Sequence, residues 1–567
     1  MASRPGAREL GAHLTRLKEK SGHSYAAIGR KTNLSKSAVH RYCSGLAVPP
    51  EFGTVERIAL KCGATKDDLA RLYRLWEFAN GTAAGGSSSG LADSGGTHPD
   101  IAEDNAEDNA GESGGDVRTD VSGSAAPHPV QSGRAKRFLS LAGCLVALFA
   151  LTLSASRPFP HSPRHGTAVH LPRALRSWKL PDAALPREYF GVTLNSGTGH
   201  MPGFRVGAVR LWDSGTRWSQ LQPHRGRFDW SRLDREVQGA RRASRPVLFV
   251  LGGTPGWARP DAPRAPYPDG ARTGPPADLS RWDAFTRALV HRYRGDIEAY
   301  ELWPLANDRR FYSGSVGTMV EMTRRASRII RREDPRAKVV CPGMGRLWTS
   351  RGRRYLERFA RLGGYDACDA ASVKVHQRSA AEPPETMLEV LDATRRSLHK
   401  AGAMPVLWNT GTTYGISLEK PLPPARARDY AVRYFLVGIY ARQLGLRRAY
   451  FYSWGSRNVP IVLQAEGRPP TPAALAVQRL QTWLAHARVS ACGHGGAAGL
   501  PARVWQCSFR LGARADARPA VIRWTDSGSA ETRAHRGQRR VRRLDGTSAA
   551  VSPGDTVRVS EAPVLIE

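Results

Sequence analysis

Residues 300–307 read YELWPLAN, and they complete a largely apolar run that begins at Ile297. The run has the length of a buried strand and ends at proline and polar residues. Seven similar runs alternate with amphipathic helical stretches in the same part of the chain. The candidate strands are Tyr189–Leu194, Gly207–Trp212, Val247–Gly252, Ile297–Trp303, Lys338–Pro342, Ala370–His376, Pro405–Thr410 and Arg448–Trp454. Eight strands alternating with helices predict a (β/α)8 TIM barrel, whose site lies at the C-terminal strand ends.

Aromatic side chains collect at these predicted strand ends. A flat apolar face beside polar groups is a surface on which a pyranose ring stacks, and several such faces on one rim predict a sugar-binding cleft. The predicted carbohydrate-binding residues are Trp212, Trp257, Trp303, Asn307, His376, Tyr414 and Trp454. The alternative is that the tryptophans at strand ends pack in the core or in a lid.

The order of these motifs over residues 186–560 resembles the clan A glycoside hydrolases, in particular the β-xylosidase-like barrels of family 39. The resemblance implies an acid/base Glu in a strand-four Trp-Asn-Glu-Pro-Asn motif and a nucleophilic Glu at the end of strand seven. Trp303 and Asn307 match the ends of the strand-four motif, but Leu305 stands at the position of its Glu. On strand seven, Gly411 stands where the nucleophile would be.

Both catalytic carboxylates are therefore expected to be absent, which predicts a pseudo-glycosidase that binds a glycan without cleaving it. One alternative is a membrane-tethered glycoside hydrolase with relocated carboxylates, for which Asp213 and Asp308 lie nearest the rim. Glu301 is expected to point into the barrel and to pair there. A second alternative is a structural barrel that binds a partner protein. We expect no cofactor and no metal, because the seven cysteines show no metal-ligand spacing.

Residues 8–78 have the apolar spacing of five short helices, the second and third joined by a tight turn. The run SYAAIGRKTNLSKSAVHRYCSGLAVPPEFGTVERIA resembles the XRE (lambda-repressor-like) helix-turn-helix regulators. Their geometry places the third helix in the major groove of double-stranded DNA. The predicted DNA-binding residues are Ser35, Lys36, Ser37, His40 and Arg41. A small helical domain that binds protein is the alternative.

The segment between the two predicted domains changes character along its length. Residues 81–133 contain nine acidic residues and one arginine, which favours a disordered tether. The run 138–156 contains no charged residue and has about the minimum length for a membrane span. A basic cluster precedes it, which predicts a cytoplasmic N-terminus. The predicted domains are 1–80 (helix-turn-helix), 81–137 (acidic linker and basic juxtamembrane segment), 138–156 (transmembrane helix), 157–185 (extracellular stalk), 186–485 (barrel) and 486–567 (small β domain).

Charge and cysteine positions add two expectations. The formal net charge of +34 attracts anions, and an anionic cell-wall polymer is one expected partner. Four cysteines follow the apolar run and permit disulfides, of which Cys492–Cys507 would join the nearest pair in sequence. The sequence leaves the pairing open.

Together these features predict a multidomain protein with an all-α helix-turn-helix domain, one transmembrane helix, a TIM barrel and a small C-terminal β domain. The predicted function is a single-pass membrane regulator of transcription with an extracellular glycan-binding sensor. The expected partners are double-stranded DNA, the membrane, a glycan or anionic cell-wall polymer, and a second copy, since a dimer would match two DNA half-sites.

Overall fold

The computed structural model describes residues 5–32, 34–49, 52–81, 175–411, 416–512 and 517–567. Five helices form the N-terminal helical domain, in agreement with the apolar spacing of the sequence. Their apolar faces meet in one buried core that includes Leu14, Val39 and Leu72. The helices are α1 (Pro5–Lys20), α2 (Tyr25–Thr32), α3 (Lys36–Cys43), α4 (Phe52–Lys61) and α5 (Lys66–Gly81).

The turn between α2 and α3 is fixed by backbone contacts. The Leu34 N–H donates a hydrogen bond of 2.9 Å to the Gly29 carbonyl oxygen. A Cβ at Gly29 would lie 2.6 Å from the Leu34 oxygen, so only glycine allows this approach. The Ser35 hydroxyl then accepts a hydrogen bond of 3.1 Å from the Ala38 N–H and caps α3.

A strand, β1 (Ser177–Ala184), precedes a closed barrel of eight parallel strands. Each barrel strand pairs with the next in sequence, and the last pairs with the first through Phe190 and Ala449. The predicted (β/α)8 barrel is therefore confirmed. Its strands are β2 (Phe190–Leu194), β3 (Ala208–Leu211), β4 (Val247–Leu251), β5 (Ala299–Leu302), β6 (Lys338–Met344), β7 (Ala370–Val373), β8 (Leu407–Asn409) and β9 (Leu446–Trp454).

Helices on the outside of the barrel alternate with these strands, and their apolar faces pack against it in one core. They are α6 (Trp218–Leu221), α7 (Ser231–Arg242), α8 (Leu279–Arg292), α9 (Val316–Glu333), α10 (Ser350–Arg361), α11 (Met387–Lys400), α12 (Pro424–Tyr440) and α13 (Pro472–Trp483).

The C-terminal residues form β-structure, as the short apolar alternation predicts. The strands are β10 (Arg488–His494), β11 (Val504–Leu511), β12 (Arg518–Thr525), β13 (Ser529–Arg533), β14 (Arg540–Arg542), β15 (Ser548–Ala550), β16 (Thr556–Ser560) and β17 (Val564–Ile566). Strand β1 pairs with β10, so residues 177–184 belong to this sheet and not to a stalk. Sequence alone misses this because the pairing joins segments about 300 residues apart.

Two disulfides form among the four cysteines of this part of the chain. Cys492 and Cys507 lie opposite each other on β10 and β11, and their sulfurs are bonded. Cys341 on β6 is bonded to Cys368, which precedes β7. Each of the four cysteines is thus bonded to the one nearest to it in sequence, and this is the pairing that the sequence left open.

The prediction of a membrane-spanning helix is corrected by the structure. No helix in the described residues is long and apolar enough to cross a membrane. The longest of them, α9, has 18 residues, of which seven are charged, and burying such charges in hydrocarbon is costly. The run 138–156 lies outside the described residues. The predicted single-pass location, with a cytoplasmic N-terminus and an extracellular C-terminal domain, is therefore not supported.

Candidate functional site

A buried charge cluster lies at the base of the barrel mouth. Glu301 on β5 is fully buried, and its carboxylate accepts hydrogen bonds from Arg210 Nε (2.7 Å), Lys374 Nζ (2.8 Å) and Ser372 Oγ (2.9 Å). Lys374 Nζ also donates to the Thr410 carbonyl oxygen (3.1 Å). The side chains come from four strands or the ends of strands, so the cluster ties β3, β5, β7 and β8 together.

The electrostatics of this cluster suit a structural role. Burial raises the pKa of the Glu301 carboxyl, but Arg210 and Lys374 outweigh it and hold that pKa below its usual value. Burial, reinforced by Arg210, lowers the pKa of Lys374 to about 7. Glu301 is therefore ionised and fully engaged, whereas a general acid needs a raised pKa and a free proton. The expected inward pairing of Glu301 agrees with this geometry.

Leu305 lies in a tight loop that follows β5. The loop begins at Trp303, whose φ of +91° is unusual for a residue with a side chain. The Gly343 N–H donates to the Trp303 carbonyl oxygen, and the Ala306 N–H donates to the Gly343 carbonyl oxygen, both at 2.8 Å. These bonds fix the loop against the end of β6. Leu305 itself is buried and brings no polar group to the mouth.

Gly411 follows β8 and faces the interior of the mouth. A Cβ built there would lie 3.7 Å from Tyr452 Cβ and 3.9 Å from Thr193 Oγ1, which are ordinary contact distances. Space for a side chain therefore exists. The backbone, however, has a φ of +117°, a conformation that residues with a Cβ rarely adopt. The expected nucleophile position thus combines an open site with a backbone that favours glycine.

The acidic groups nearest these two positions are held in hydrogen bonds. Asp213 accepts from Tyr452 Oη at 2.9 Å and from Arg217 Nη1 at 3.5 Å. Arg217 Nε donates in turn to Asp269 at 2.5 Å. Burial and the Asp213 charge raise the pKa of Tyr452, so its hydroxyl keeps the proton that it donates. These four hydrogen-bonded side chains form a polar wall at the ends of β3 and β9.

Asp308, the other carboxylate considered from sequence, is bound by Arg310. Nε and Nη2 of Arg310 contact the two carboxylate oxygens at 3.0 and 2.6 Å. Burial raises the pKa of Asp308, but the Arg310 charge outweighs this effect and the pKa is lowered.

Sequence reasoning missed Glu419, a carboxyl group at the rim. Its carboxylate accepts hydrogen bonds from Ser379 Oγ at 2.9 Å and from the Ala380 N–H at 3.0 Å, and burial raises its pKa.

The aromatic residues predicted to bind carbohydrate occupy two different environments. Trp303 and Trp454 are core residues, and their indole N–H groups donate to the Phe311 carbonyl (3.1 Å) and the Gln464 side chain (2.9 Å). Trp212 is also largely buried, but it lies beside the polar wall and donates to Tyr267 Oη at 2.9 Å. Trp257 is half-buried on the β4 loop and donates to the Gln222 carbonyl at 2.9 Å. The four rings thus have different hydrogen-bond partners in the part of the chain that the structure describes.

The remaining predicted sugar-binding residues also separate. The Asn307 amide donates to the Gly345 carbonyl (2.7 Å) and accepts from the Gly345 N–H (2.8 Å), so it joins two loops. His376 lines a small cavity of about 50 Å³ with Tyr430, Phe451 and Tyr452, and this volume has room for a few water molecules. Its buried Nε2 atom has no hydrogen-bond partner among the described residues, and burial lowers its pKa to about 4. Tyr414 lies outside the described residues.

The five predicted DNA-binding residues lie together on α3 and at its N-terminus. Ser35, Lys36, Ser37, His40 and Arg41 are all exposed, while Val39 on the opposite face is fully buried. The His40 ring packs edge-on against Tyr25 of α2 at 5.1 Å between centroids. One face of α3 therefore presents hydroxyl, imidazole and cationic groups to the solvent, as a recognition helix requires.

Helix α5 lies against the C-terminal rim of the barrel. The Arg310 guanidinium lies 5.7 Å from the Tyr73 ring centroid, and the Arg346 guanidinium lies 4.9 Å from that of Trp76. Lys420 Nζ forms an ion pair with Asp67 at 3.1 Å. The three barrel residues follow β5, β6 and β8, so α5 contacts loops on the side where the candidate cleft opens. The exposed face of α3 stays accessible beside this contact.

A comparison with protein-family models identifies the N-terminal part of the chain. The model described as a helix-turn-helix domain matches residues 9–72. Residues 9–72 are a helix-turn-helix domain. The match agrees with the five-helix core and with the exposed face of α3. The helix-turn-helix domain supports DNA binding by this part of the chain, and a regulator of transcription is the class that it suggests.

The barrel matches solved structures of glycoside hydrolases. A family 39 glycoside hydrolase from Bacteroides cellulosilyticus has 14% identity and a TM-score of 0.49, with 64% of this chain and 75% of that chain covered. A glucosidase from Croceicoccus marinus has 16% identity and a TM-score of 0.46, and an arabinofuranosidase from Xanthomonas axonopodis has 13% identity and a TM-score of 0.44. Each match covers 68% of this chain and 97% of the other chain. No curated protein matches the chain. Because the sequence identities and TM-scores are low, the barrel is assigned from the order of its own strands. Its function is argued from its own residues.

Proposed function

We propose that this protein is a DNA-binding regulator of transcription whose barrel binds a saccharide without hydrolysing it. The observation that carries the proposal is the pair of residues at the expected catalytic positions, Leu305 and Gly411. Retaining hydrolysis needs two carboxyl groups about 5 Å apart, one to protonate the leaving oxygen and one to attack the anomeric carbon. Neither leucine nor glycine performs either step.

The nearby acids do not replace the missing pair. Asp308 is bound by both oxygens to Arg310, and Glu301 is surrounded by two cations and two hydroxyl groups. Both carboxyls have lowered pKa values, which opposes a role as proton donor. Asp213 accepts from Tyr452 and Arg217. These contacts favour binding over bond cleavage.

Several groups in the mouth are suited to a polyhydroxylated ligand. Asp213 and Arg217 offer an acceptor and donors beside the Trp212 and Tyr267 rings. Thr193 Oγ1, next to Gly411, is a buried hydroxyl without a hydrogen-bond partner among the described residues. Apolar rings next to convergent polar groups are typical of small-molecule sites. The proposed sugar-contacting residues are therefore those on the β3, β8 and β9 side of the mouth.

The contact of α5 with the rim offers a route from the barrel to DNA. A saccharide that reaches the mouth approaches the loops that hold Tyr73, Trp76 and Asp67. If the ligand binds one arrangement of these loops better than another, it favours the position of the helix-turn-helix domain that goes with that arrangement. The equilibrium between the two positions then shifts by the difference in binding free energy. Two copies on an operator with two half-sites would make this shift visible as altered DNA occupancy.

The test uses the full chain and two readouts. Turnover of aryl glycosides should be absent for the wild-type protein. Hydrolysis that is lost in Asp213→Asn or Asp308→Asn would overturn the proposal in favour of relocated carboxylates. On a glycan array, wild type should bind a defined set of sugars, and Trp212→Ala should lose them. The absence of any sugar bound by the wild-type protein would instead favour a barrel that serves as a scaffold.

A further inference from the structure

A second pocket lies at the opposite end of the barrel from the mouth. It is formed by the C-terminal half of α13 and by the β14–β15 hairpin, and its volume is about 440 Å³. Gln478 of α13 accepts a hydrogen bond of 2.8 Å from the Arg205 N–H, which precedes β3 and marks the N-terminal strand ends. Four of the lining residues are arginines, namely Arg479, Arg540, Arg542 and Arg543.

The position of Arg479 is fixed by the hairpin turn. A Cβ at Gly546 would lie 3.0 and 3.1 Å from the two terminal nitrogens of Arg479, so the guanidinium packs directly on this glycine. Gly546 has a φ of +99°, and its N–H donates to the Arg543 carbonyl oxygen at 3.1 Å. Arg479 Nε is buried and has no hydrogen-bond partner among the described residues. The guanidinium of Arg479 therefore lines the pocket in a position that the turn sets.

The charges around the pocket do not balance. Arg542 Nε forms an ion pair with Glu567 at 2.8 Å. One carboxylate oxygen of Asp545, on the turn, accepts hydrogen bonds from the Thr547 N–H and from the Thr547 hydroxyl, at 2.8 and 2.7 Å. Among the described residues, Arg479, Arg540 and Arg543 have no ion-pair partner, so the pocket keeps an excess of positive charge. Guanidinium forks bind carboxylate and phosphate groups in a bidentate manner, which makes arginine the preferred residue for such anions.

We propose that this pocket binds an anionic saccharide, one whose ring carries carboxylate or phosphate groups. Thr482 and Ser548 place hydroxyl groups among the arginines, and Leu475, 49% exposed, adds an apolar surface for the C–H face of a ring. A pocket of about 440 Å³ accommodates one or two such rings. Duplex DNA instead requires a long, open cationic surface that follows its backbone. The site is separate from the mouth and does not depend on the function proposed for it.

The experiment titrates the full chain with an oligogalacturonate, with its neutral methyl ester and with a sugar phosphate, by calorimetry. The wild-type protein should bind at least one of the two anionic ligands and not the neutral ester, and added salt should weaken the binding. The two anionic arms distinguish carboxylate from phosphate recognition. The paired change Arg479→Gln and Arg543→Gln should lower the affinity at least about tenfold.

Arg536→Gln is the matched control, because it removes an exposed arginine of the β domain outside the pocket. It should leave the affinity unchanged. Equal losses in the control and the pocket variant would overturn the proposal in favour of general charge attraction, and so would binding of the neutral ester. Loss of affinity for non-operator DNA in the pocket variant would assign the arginines to DNA. Arg540→Gln, at an exposed position, repeats the test if Arg479→Gln unfolds the protein.

Discussion

Arg210 Nε donates a hydrogen bond of 2.7 Å to Glu301 Oε2, and both side chains are buried in the barrel. Lys374 contacts the other oxygen of the same carboxylate. The acidic residue that the YELWPLAN stretch does contain is therefore used to hold the strands together below the mouth. An acid four residues before the expected catalytic position is thus accounted for by the packing of the barrel.

Replacing Glu301 by glutamine should destabilise the barrel. The change leaves two buried cations without their shared counter-charge, and such changes typically cost about 3–5 kcal/mol. Urea unfolding of the full chain measures the free energy of unfolding. Asp296→Asn is the matched control, since its ion pair with Arg241 is partly exposed and should be worth no more than about 1 kcal/mol. Equal costs for the two variants would contradict the structural role of Glu301.

Restoring glutamates at the expected catalytic positions should not create a hydrolase. In the variant Leu305→Glu, Gly411→Glu, residue 411 must take a φ of +117°, which strains any residue with a Cβ by about 1–3 kcal/mol. The loop then departs from the geometry that catalysis needs. Aryl glycoside turnover by the double variant should stay at the wild-type background. Gly411→Ala measures the strain alone, as a drop in stability.

Removing cations from the exposed face of α3 should weaken DNA binding. Lys36→Ala and Arg41→Ala each remove a group proposed to bind phosphate or base edges, and a variant that neutralises one phosphate fewer should have a salt slope smaller by about 1. Electrophoretic mobility shifts at several salt concentrations provide the measurement. Lys20→Ala, an exposed cation of α1, is the control and should bind as wild type does. Equal weakening by all three variants would show that charge alone matters.

Ser35→Ala should lower the stability of the helix-turn-helix domain by about 1 kcal/mol. The Ser35 hydroxyl accepts the hydrogen bond from the Ala38 N–H, and the loss of an N-cap exposes one more unpaired donor. Circular dichroism during thermal unfolding follows the change. Ser37→Ala, two residues further on and without a capping bond, should leave the stability within about 0.5 kcal/mol of wild type.

The stability of the barrel should depend on the protonation of Glu236. This residue of α7 is fully buried, one oxygen accepts from the Gly199 N–H at 2.7 Å, and burial raises its pKa to about 7. The folded state therefore holds a proton that the unfolded state releases above its own pKa of about 4.5. The contribution of Glu236 to the free energy of unfolding therefore falls as the pH rises from about 4.5 to about 7, by about 3 kcal/mol at most.

Glu236→Gln removes this titration while it keeps an acceptor for the Gly199 N–H. The variant should gain stability relative to wild type between pH 5 and pH 8, as measured by urea unfolding at both values. A constant difference between the two proteins across this range would show that Glu236 does not titrate there.

Local patterns were sufficient for the element types and for part of the site. The spacing of apolar residues predicted the helices of the N-terminal domain and the alternation of strands and helices in the barrel, because both periods are properties of short segments. The resemblance also located Leu305 and Gly411 just beyond strands β5 and β8, where the structure has them. The uncharged run 138–156 was different, since its composition alone suggested a membrane span that the described helices do not provide.

The sequence by itself determined which segments are helices and strands, and it predicted that Leu305 and Gly411 replace the two expected catalytic glutamates. Only the tertiary structure decided what the surrounding residues do. Trp303 and Asn307 frame the vacated position in sequence, yet one packs in the core and the other joins two loops. The arginine pocket likewise joins α13 to a hairpin about 60 residues further along the chain. Burial and partners depend on segments distant in sequence, so local periodicity does not specify them.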